Sequence, residues 1–206
     1  MVPTDRTRRP RSDGERSRTA ILEEAARRAT VEGLGGLSLG RLAGAVGMSK
    51  SGLFAHFGSK EELQLATVDR AEARFAAEVL VPAAEAPTAI GRLEALVDRY
   101  LAYVRVETFP GGCFFASVLA EVDMQPGPLR DRLVAFLEDW LGRLEQAVRE
   151  AQADGAIAAE EDPGQLTFEI EAALFLANAQ FVISRSPEPI ARARGAIERR
   201  LAAAAA

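Results

Sequence analysis

Apolar residues recur at helical spacing along almost the whole chain, and no stretch alternates between apolar and polar residues in the way that predicts a half-buried β-strand. Leucine, alanine, glutamate and arginine, which all favour helices, dominate the composition. Clusters of proline and glycine interrupt the pattern and divide it into about nine predicted helices. The pattern therefore predicts an all-α fold.

Three short helices are predicted within the first 60 residues, before a longer fourth helix. The first begins at Ser17 or Thr19 and runs to about Glu32, the second covers 39–46, and the third follows Ser49 and runs to about His56. Ser38 and Ser49 precede the second and third helices, where their hydroxyl groups can accept a hydrogen bond from a free backbone N–H. Gly47 separates these two helices. Ser59 opens the fourth helix, which is predicted to end before Pro82 because proline disrupts a helix interior.

The second and third helices have the register of a helix-turn-helix. Ala43 is small, as is needed where two helices cross closely, and Gly47 can adopt the positive φ of the turn. Val46 and Leu53 are apolar where the motif needs buried contacts. In such a motif the second helix supports the third, whose exposed side chains enter the major groove of DNA.

Longer helices fill the rest of the chain. Their predicted ranges are 88–106, 113–122, 129–153 and 163–183, followed by an arginine-rich helix after Pro189. The helix over 163–183 is strongly apolar, whereas the helix over 129–153 is amphipathic. A second, larger helical domain is therefore expected after the helix-turn-helix.

Charge is distributed unevenly along the chain, whose formal net charge is −5. Residues 1–60 contain 11 Lys and Arg against 6 Asp and Glu, whereas residues 61–206 contain 14 against 24. This asymmetry indicates that the N-terminal part meets a polyanion.

The composition sets further limits. The 206-residue chain is 48% hydrophobic and 27% charged, so it can bury a substantial core. Charged residues interrupt the longest apolar stretches before they reach the roughly 20 residues that cross a bilayer, and no membrane span is expected. The arginine-rich start does not have the apolar run of a secretory signal. Cys113 is the only cysteine, which excludes an intrachain disulfide, and the cytoplasm is the expected location.

Three runs of residues resemble the N-terminal domain of the tetracycline-repressor (TetR) family. They are Thr19–Ala26, Leu42–Ser49 and Leu53–Leu63. The resemblance covers about residues 15–66, and the remainder agrees only in its overall plan of long helices. It implies a transcriptional regulator, a homodimeric repressor that leaves a palindromic operator when a small-molecule effector binds. The resemblance also implies three segments: a flexible basic arm over 1–14, a helix-turn-helix domain over 15–60, and a ligand-binding and dimerisation domain over 61–206.

Carried over position by position, the resemblance implies a set of DNA-facing residues. They are Ser38, Ser49, Lys50, Ser51, Gly52, Phe54, His56 and Lys60. The family commonly has tyrosine where this chain has Phe54, so a hydroxyl contact to phosphate is expected to be missing. Gly52 leaves one recognition position without a side chain. The arginines of the preceding segment could lie along phosphates or remain in solvent: Arg6, Arg8, Arg9, Arg11, Arg16 and Arg18.

Two further sets of residues are candidates for the larger domain. The ligand-binding candidates are Tyr103, Cys113, Phe114, Ser117, Phe136, Trp140, Glu171, Phe175 and Asn178. The dimer candidates are Leu166, Ile170, Leu174, Ala177, Phe181 and Ile197. Several alternatives stay open. Cys113 could be a small buried hydrophobe or a redox sensor, while Glu171 and Asn178 could orient a ligand, join a dimer contact or lie on a helix surface.

Two other classes of function are less consistent with the sequence. The chain contains a single histidine, no phosphate-cradling glycine loop and no metal-ligand cluster, so no enzyme, cofactor or metal site is expected. A helical adaptor or ligand-binding protein without DNA binding would explain the helices, but not the helix-turn-helix register or the basic N-terminal part. The sequence names neither the effector, nor the operator, nor the regulated genes, and it does not separate repressor from activator.

Overall fold

The computed structural model describes residues 10–122 and 126–206, and α-helices account for nearly all the regular structure within them. The helices are α1 Pro10–Glu32, α2 Leu39–Ala45, α3 Lys50–Phe57, α4 Lys60–Phe75, α5 Val81–Ala84, α6 Ala89–Arg105, α7 Phe114–Val122, α8 Pro128–Ala153, α9 Pro163–Ser184 and α10 Glu188–Ala203. A single β-bridge joins Ile157 to Ala205. The predicted all-α fold is confirmed.

Two helix boundaries differ from the sequence prediction, and both lie at a proline. α1 begins at Pro10, several residues before the predicted start, so the expected flexible arm overlaps this helix. Arg6, Arg8 and Arg9 lie outside the described residues. α4 does not stop before Pro82 but continues through a π-helical turn into α5, where Pro82 occupies the first turn. Pro10 lies in the first turn of α1, where the missing N–H of proline removes no helical hydrogen bond. At Pro82 the π-helical turn directly before it lets the helix continue past the proline.

Aromatic rings from four helices form the centre of the larger domain. Phe75 of α4 is almost completely buried and makes edge-on contacts with five rings of α6, α7 and α8. These rings belong to Tyr100, Tyr103, Phe115, Phe136 and Trp140. Edge-on packing satisfies the quadrupoles of the rings and fixes their mutual positions.

The long helix α4 connects the N-terminal helices to the larger domain through ion pairs on two sides. Glu23 of α1 accepts hydrogen bonds from Arg70 at 2.9 Å and from Arg74 at 3.0 Å. On its other side, Asp69 of α4 accepts a hydrogen bond from Arg132 of α8 at 2.9 Å. A displacement of α4 therefore affects both α1 and α8.

The helix α9 is apolar on more than its buried face. By length and composition alone it would suit a bilayer, and 39% of its apolar window is buried inside the molecule. The residues predicted to form the dimer contact lie on the buried side or against it. Leu166, Ile170, Leu174, Ala177, Phe181 and Ile197 each expose no more than 4% of their surface. In the single chain these six side chains pack against its own core, and their part in a dimer contact stays a prediction.

Candidate DNA-binding head and ligand cavity

The helices α2 and α3 form the helix-turn-helix in the register that the sequence predicts. Ala43 and Leu53 are buried where the two helices meet. Gly47 has a φ of +69°, a left-handed conformation that favours glycine. The N–H of Met48 donates to the carbonyl of Ala43 at 2.8 Å and closes the turn. We call α1 to α3, with the loops between them, the head.

Serine hydroxyl groups cap both helices of this motif. The Ser38 hydroxyl accepts a hydrogen bond from the N–H of Arg41, and the Ser49 hydroxyl accepts one from the N–H of Gly52 at 3.0 Å. Ser51 lies 3.2 Å from Ser49, measured between their hydroxyl oxygens. Capping satisfies one free N–H at each helix start and leaves the other amides of the first turn available to an anion.

The outer edge of α3 is open to solvent. Lys50 and Ser51 are exposed, Phe54 exposes 46% of its surface, and Gly52 and His56 are half-buried. This edge has the exposure that a recognition helix requires.

Three other basic residues in the head or at the start of α4 already have partners. Lys60 donates to the carbonyl of Gly35 at 2.6 Å. Arg18 donates to the carbonyl of His56 at 2.9 Å and lies over the Phe57 ring, so it fastens α1 to the end of α3. Arg41, which the sequence reasoning missed, is exposed near the start of α2 and pairs with Glu32 at 2.9 Å. The position of Arg41 close to Ser38 in the sequence could have indicated it as a candidate DNA contact.

The loop between α1 and α2 is held from the larger domain. The Glu121 carboxylate of α7 accepts hydrogen bonds from the N–H groups of Leu34 and Gly35, both at 3.2 Å. Gly33 has a φ of +79°, a left-handed conformation that favours glycine, and a Cβ atom there would lie 2.5 Å from this carboxylate and displace it. Gln64 of α4 donates to the carbonyl of Leu34 at 2.8 Å. We call the two hydrogen bonds from Leu34 and Gly35 to the Glu121 carboxylate the Glu121 clasp.

An apolar cavity of about 530 Å³ lies between α4, α6, α7, α8 and α9. Five of the predicted ligand-binding residues line it, which are Cys113, Phe136, Trp140, Glu171 and Phe175. Its size falls within the range of about 300–1,000 Å³ that is usual for small-molecule sites.

The other predicted ligand-binding residues lie outside the cavity lining. Tyr103 and Phe114 are buried in the core. The Ser117 hydroxyl donates to the carbonyl of Cys113 at 3.0 Å. The Asn178 carbonyl oxygen accepts a hydrogen bond from the N–H of Cys113 at 2.8 Å. Ser117 and Asn178 thus position the start of α7.

Sequence reasoning missed several residues of the cavity wall. These include Phe75, Tyr100, Thr167 and Phe168. Tyr100 lies three residues before Tyr103, so both fit the apolar face of one helix. Periodicity alone does not separate a residue in a cavity wall from one in a packed core.

Two titratable groups in the wall have shifted pKa values. Burial raises the pKa of Glu171 to about 6, and a hydrogen bond from the Trp140 indole, 2.8 Å long, opposes this rise. Burial also raises the pKa of the Cys113 thiol to about 11. The thiol is therefore protonated at neutral pH and is a poor nucleophile, which favours the small buried hydrophobe over the redox sensor.

A larger depression, about 570 Å³, lies between α5, α6 and α8. Four of its five charged side chains are paired with one another, Arg92 with Glu150 at 2.7 Å and Arg143 with Asp139 at 2.7 Å, and the fifth, Glu138, is exposed. The aromatic cavity is the better candidate for a ligand, because its walls hold a half-buried carboxylate without a cationic partner among the described residues.

A helix-turn-helix head, joined by one long helix to a helical domain with an apolar cavity, defines a class of DNA-binding transcriptional regulators. Residues 21–67 match the family model of bacterial regulatory proteins, tetR family. Residues 89–197 match the model of the tetracyclin repressor-like C-terminal domain. The chain belongs to the TetR family of transcriptional regulators.

Individual relatives agree with this assignment. The transcriptional regulator AcuR of Cereibacter sphaeroides is 25% identical over 163 residues, which are 77% of this chain and 74% of that protein. A TetR transcriptional regulator from Chloroflexus aurantiacus superposes with a TM-score of 0.86 at 26% identity, over 93% of this chain and 96% of that one. AibR, solved in complex with isovaleryl coenzyme A and operator DNA, has the same fold, with a TM-score of 0.71 at 24% identity, over 89% and 97% of the two chains.

Proposed function

We propose that this protein is a homodimeric repressor that leaves a palindromic operator when a small molecule occupies the aromatic cavity. The observation that carries this proposal is the Glu121 clasp, because it connects a wall of the cavity directly to the head. Such a repressor acts on DNA, so we expect it in the cytoplasm. We expect no catalytic activity.

The DNA surface of the proposed repressor is the exposed edge of α3 with the neighbouring helix starts. Lys50 and Ser51 face base edges or the backbone, while Phe54 lies against the sugar-phosphate strand. Ser38, Ser49, Gly52, His56 and Lys60 complete the surface. Lys60 must exchange its bond to the Gly35 carbonyl for a phosphate, which makes it the contact that most depends on the loop conformation.

A second copy of the chain covers the exposed side of α9. Phe168, Phe175, Leu176 and Ile183 form an exposed apolar stripe there, with Ile183 exposing 85% of its surface. A helix that is apolar almost all round needs partners on all sides. Two-fold pairing through this stripe gives two heads, and heads about 34–36 Å apart engage successive major grooves of a palindrome.

Occupancy of the cavity reaches the head through α7. Phe115, Ala116 and Leu119 of this helix line the cavity, and Glu121 at its end holds the loop before α2. A ligand that favours a displaced α7 therefore also favours a displaced head. Release from DNA requires that the ligand bind the displaced state more tightly than the state with the correct head spacing.

The complex of AibR with isovaleryl coenzyme A and operator DNA supports ligand control in this fold. It supports no particular ligand for this chain.

Titration of genomic fragments with the full-length protein tests the DNA-binding part of the proposal. We expect saturable binding of a dimer to a fragment that contains a palindrome, with affinity that falls steeply with salt. Lys50→Ala should weaken binding about ten-fold, because it removes a phosphate or base contact. Arg192→Ala is the matched control, since Arg192 is an exposed basic residue of α10, outside the head. Absence of saturable binding to every fragment would favour the adaptor alternative.

A further inference from the structure

We infer that the ligand of the aromatic cavity is a protonated amine with an apolar body, whose ammonium group donates hydrogen bonds to Glu171 and Thr167. The inference rests on the proposed function only in taking this cavity as the effector site.

The charges of the cavity wall favour a cation over an anion. Among the described residues that line the cavity, the charged side chains are Glu145 and Glu171, and none is lysine, arginine or histidine. Glu145 already pairs with Arg149 on the surface of α8. A carboxylate or phosphate group in the cavity would meet the Glu171 charge without a cation to balance it.

Two acceptors of the wall are without full hydrogen-bond partners. The Trp140 indole donates to one oxygen of Glu171, and no described residue bonds to the other. Thr167 lies one helical turn before Glu171 on α9 and exposes 5% of its surface. Its buried hydroxyl has no hydrogen-bond partner in the described part of the chain. A buried hydroxyl such as that of Thr167 is rarely left in this state, and Glu171 is half-buried with one oxygen unbonded, so the pair offers two acceptors to a ligand that donates to both.

Aromatic rings supply the remaining recognition. Trp140 and Tyr100 stack with their ring centroids 5.9 Å apart, and both line the cavity next to Glu171. Electron-rich ring faces attract cations, and indole does so best. The rest of the lining is mainly apolar and accepts an aliphatic or aromatic body.

Three probes that share one body separate charge from shape. Phenylbutylamine, phenylbutanol and phenylbutyrate are titrated calorimetrically into the full-length protein at pH 7.5. We expect the amine to bind about ten-fold more tightly than the alcohol, since a charge-assisted hydrogen bond forms, and the acid to bind most weakly. The fluorescence of Trp140, the only tryptophan, reports in parallel whether a probe occupies this cavity.

Variants test the residues. Glu171→Gln should abolish the preference for the amine over the alcohol, and Thr167→Val should weaken amine binding several-fold. Glu138→Gln makes the same charge change on an exposed position of α8 outside this cavity, and it should retain the preference. Thermal unfolding of each variant shows whether it is folded. If Glu171→Gln does not fold, Thr167→Val still tests the proposed binding site.

Different failures have different meanings. The amine inference is overturned if phenylbutyrate binds as tightly as phenylbutylamine, if Glu171→Gln keeps the preference, or if none of the probes binds. An acid that changes Trp140 fluorescence and releases operator DNA would leave the proposed repressor intact. Conversely, an amine that binds with the expected preference to a protein without operator affinity would overturn the repressor alone.

Discussion

At the scale of single residues, Glu171 shows two opposing influences on one carboxyl group. The surrounding rings exclude water and disfavour its charged form, while the Trp140 indole N–H stabilises that form. Burial prevails, and the pKa rises from its ordinary 4.5 to about 6. The folded protein therefore holds this proton more tightly than the unfolded chain, so the contribution of Glu171 to stability falls as pH rises through that interval.

Replacement of Glu171 by glutamine should remove this pH dependence. At pH 7.5 we expect Glu171→Gln to raise the free energy of unfolding by about 1–2 kcal/mol, and near pH 4 we expect almost no difference. The neighbouring Tyr100 and Cys113 stay neutral across this range, because burial raises both pKa values. Urea unfolding at fixed protein concentration measures the difference. An equal effect at both pH values would contradict the stated cause.

Two buried threonines offer a matched comparison of hydroxyl groups. The Thr167 hydroxyl has no partner in the described chain, so Thr167→Val should raise the free energy of unfolding of the ligand-free protein by about 1 kcal/mol. The Thr67 hydroxyl donates to the carbonyl of Leu63 at 2.7 Å, so Thr67→Val should lower it by a similar amount. Urea unfolding of both variants checks the opposite signs. A loss of stability in Thr167→Val would indicate that its hydroxyl is already satisfied.

The limits of sequence reasoning at this scale are visible in α6. Tyr103 was predicted in the cavity and Tyr100 was not, yet Tyr100 lines it and Tyr103 lies in the core. Both tyrosines contact the ring of Phe75, which arrives from α4, more than 20 residues earlier in the chain. Only this tertiary contact decides which ring faces the cavity. By contrast, the helix-turn-helix positions depend on local size and backbone conformation, and the sequence predicts them well.

At the scale of elements, α7 is a short helix with two functions in the proposed mechanism. Its first turns contribute to the cavity wall, and its last turn carries the Glu121 clasp. The clasp satisfies two backbone N–H groups beyond the end of α1, in a loop that contains three glycines and is anchored in the core by Leu34 and Leu37. Loss of this carboxylate should therefore loosen the loop without unfolding the head.

Glu121→Ala should accelerate amide hydrogen exchange at Leu34 and Gly35 by about ten-fold, because hydrogen bonds to a charged acceptor are lost. Exchange within α6 should stay unchanged. Glu138→Ala removes an exposed carboxylate of α8 and serves as control. Hydrogen exchange followed by mass spectrometry or NMR resolves the two regions. Unchanged protection at Leu34 and Gly35 would mean that other contacts hold the loop.

Helix boundaries show where a general rule for proline fails. The rule that proline ends a helix predicted a stop before Pro82, but this residue lies in the first turn of α5 after a π-helical turn. A π-helical turn has no compositional signature that differs from an α-helix, so the continuation could not be predicted. Pro10 likewise starts a helix that the apolar pattern places later, because its first turns have no apolar face.

At the scale of the whole molecule, α9 shows what the hydrophobic pattern of a sequence can predict and what it cannot. Its apolar composition indicates contacts on several sides, and the sequence assigned it to dimerisation. The same composition conceals which side faces its own chain, so the residues chosen were those of the core. The exposed stripe of Phe168, Phe175, Leu176 and Ile183 became visible only when α6, α8 and α10 were in place.

A charge in this stripe should prevent dimerisation. We expect Ile183→Glu to sediment as a monomer of 22.1 kDa at micromolar concentration and to lose operator affinity, because a buried unpaired charge is costly at an interface. Val106→Glu introduces the same charge at an exposed valine at the end of α6 and should remain dimeric. A dimeric Ile183→Glu would move the interface away from this stripe.

The buried thiol of Cys113 makes the protein suitable for distance spectroscopy without prior removal of a native cysteine. A protonated sulfur on an almost fully buried residue reacts slowly with maleimide or methanethiosulfonate reagents, so Arg27→Cys on the exposed surface of α1 should take up a spin label much faster than Cys113. Electron double resonance between the two labels of a dimer then gives the separation of the heads. A shift of that separation on addition of phenylbutylamine would report the allosteric step in a protein that still has its native core.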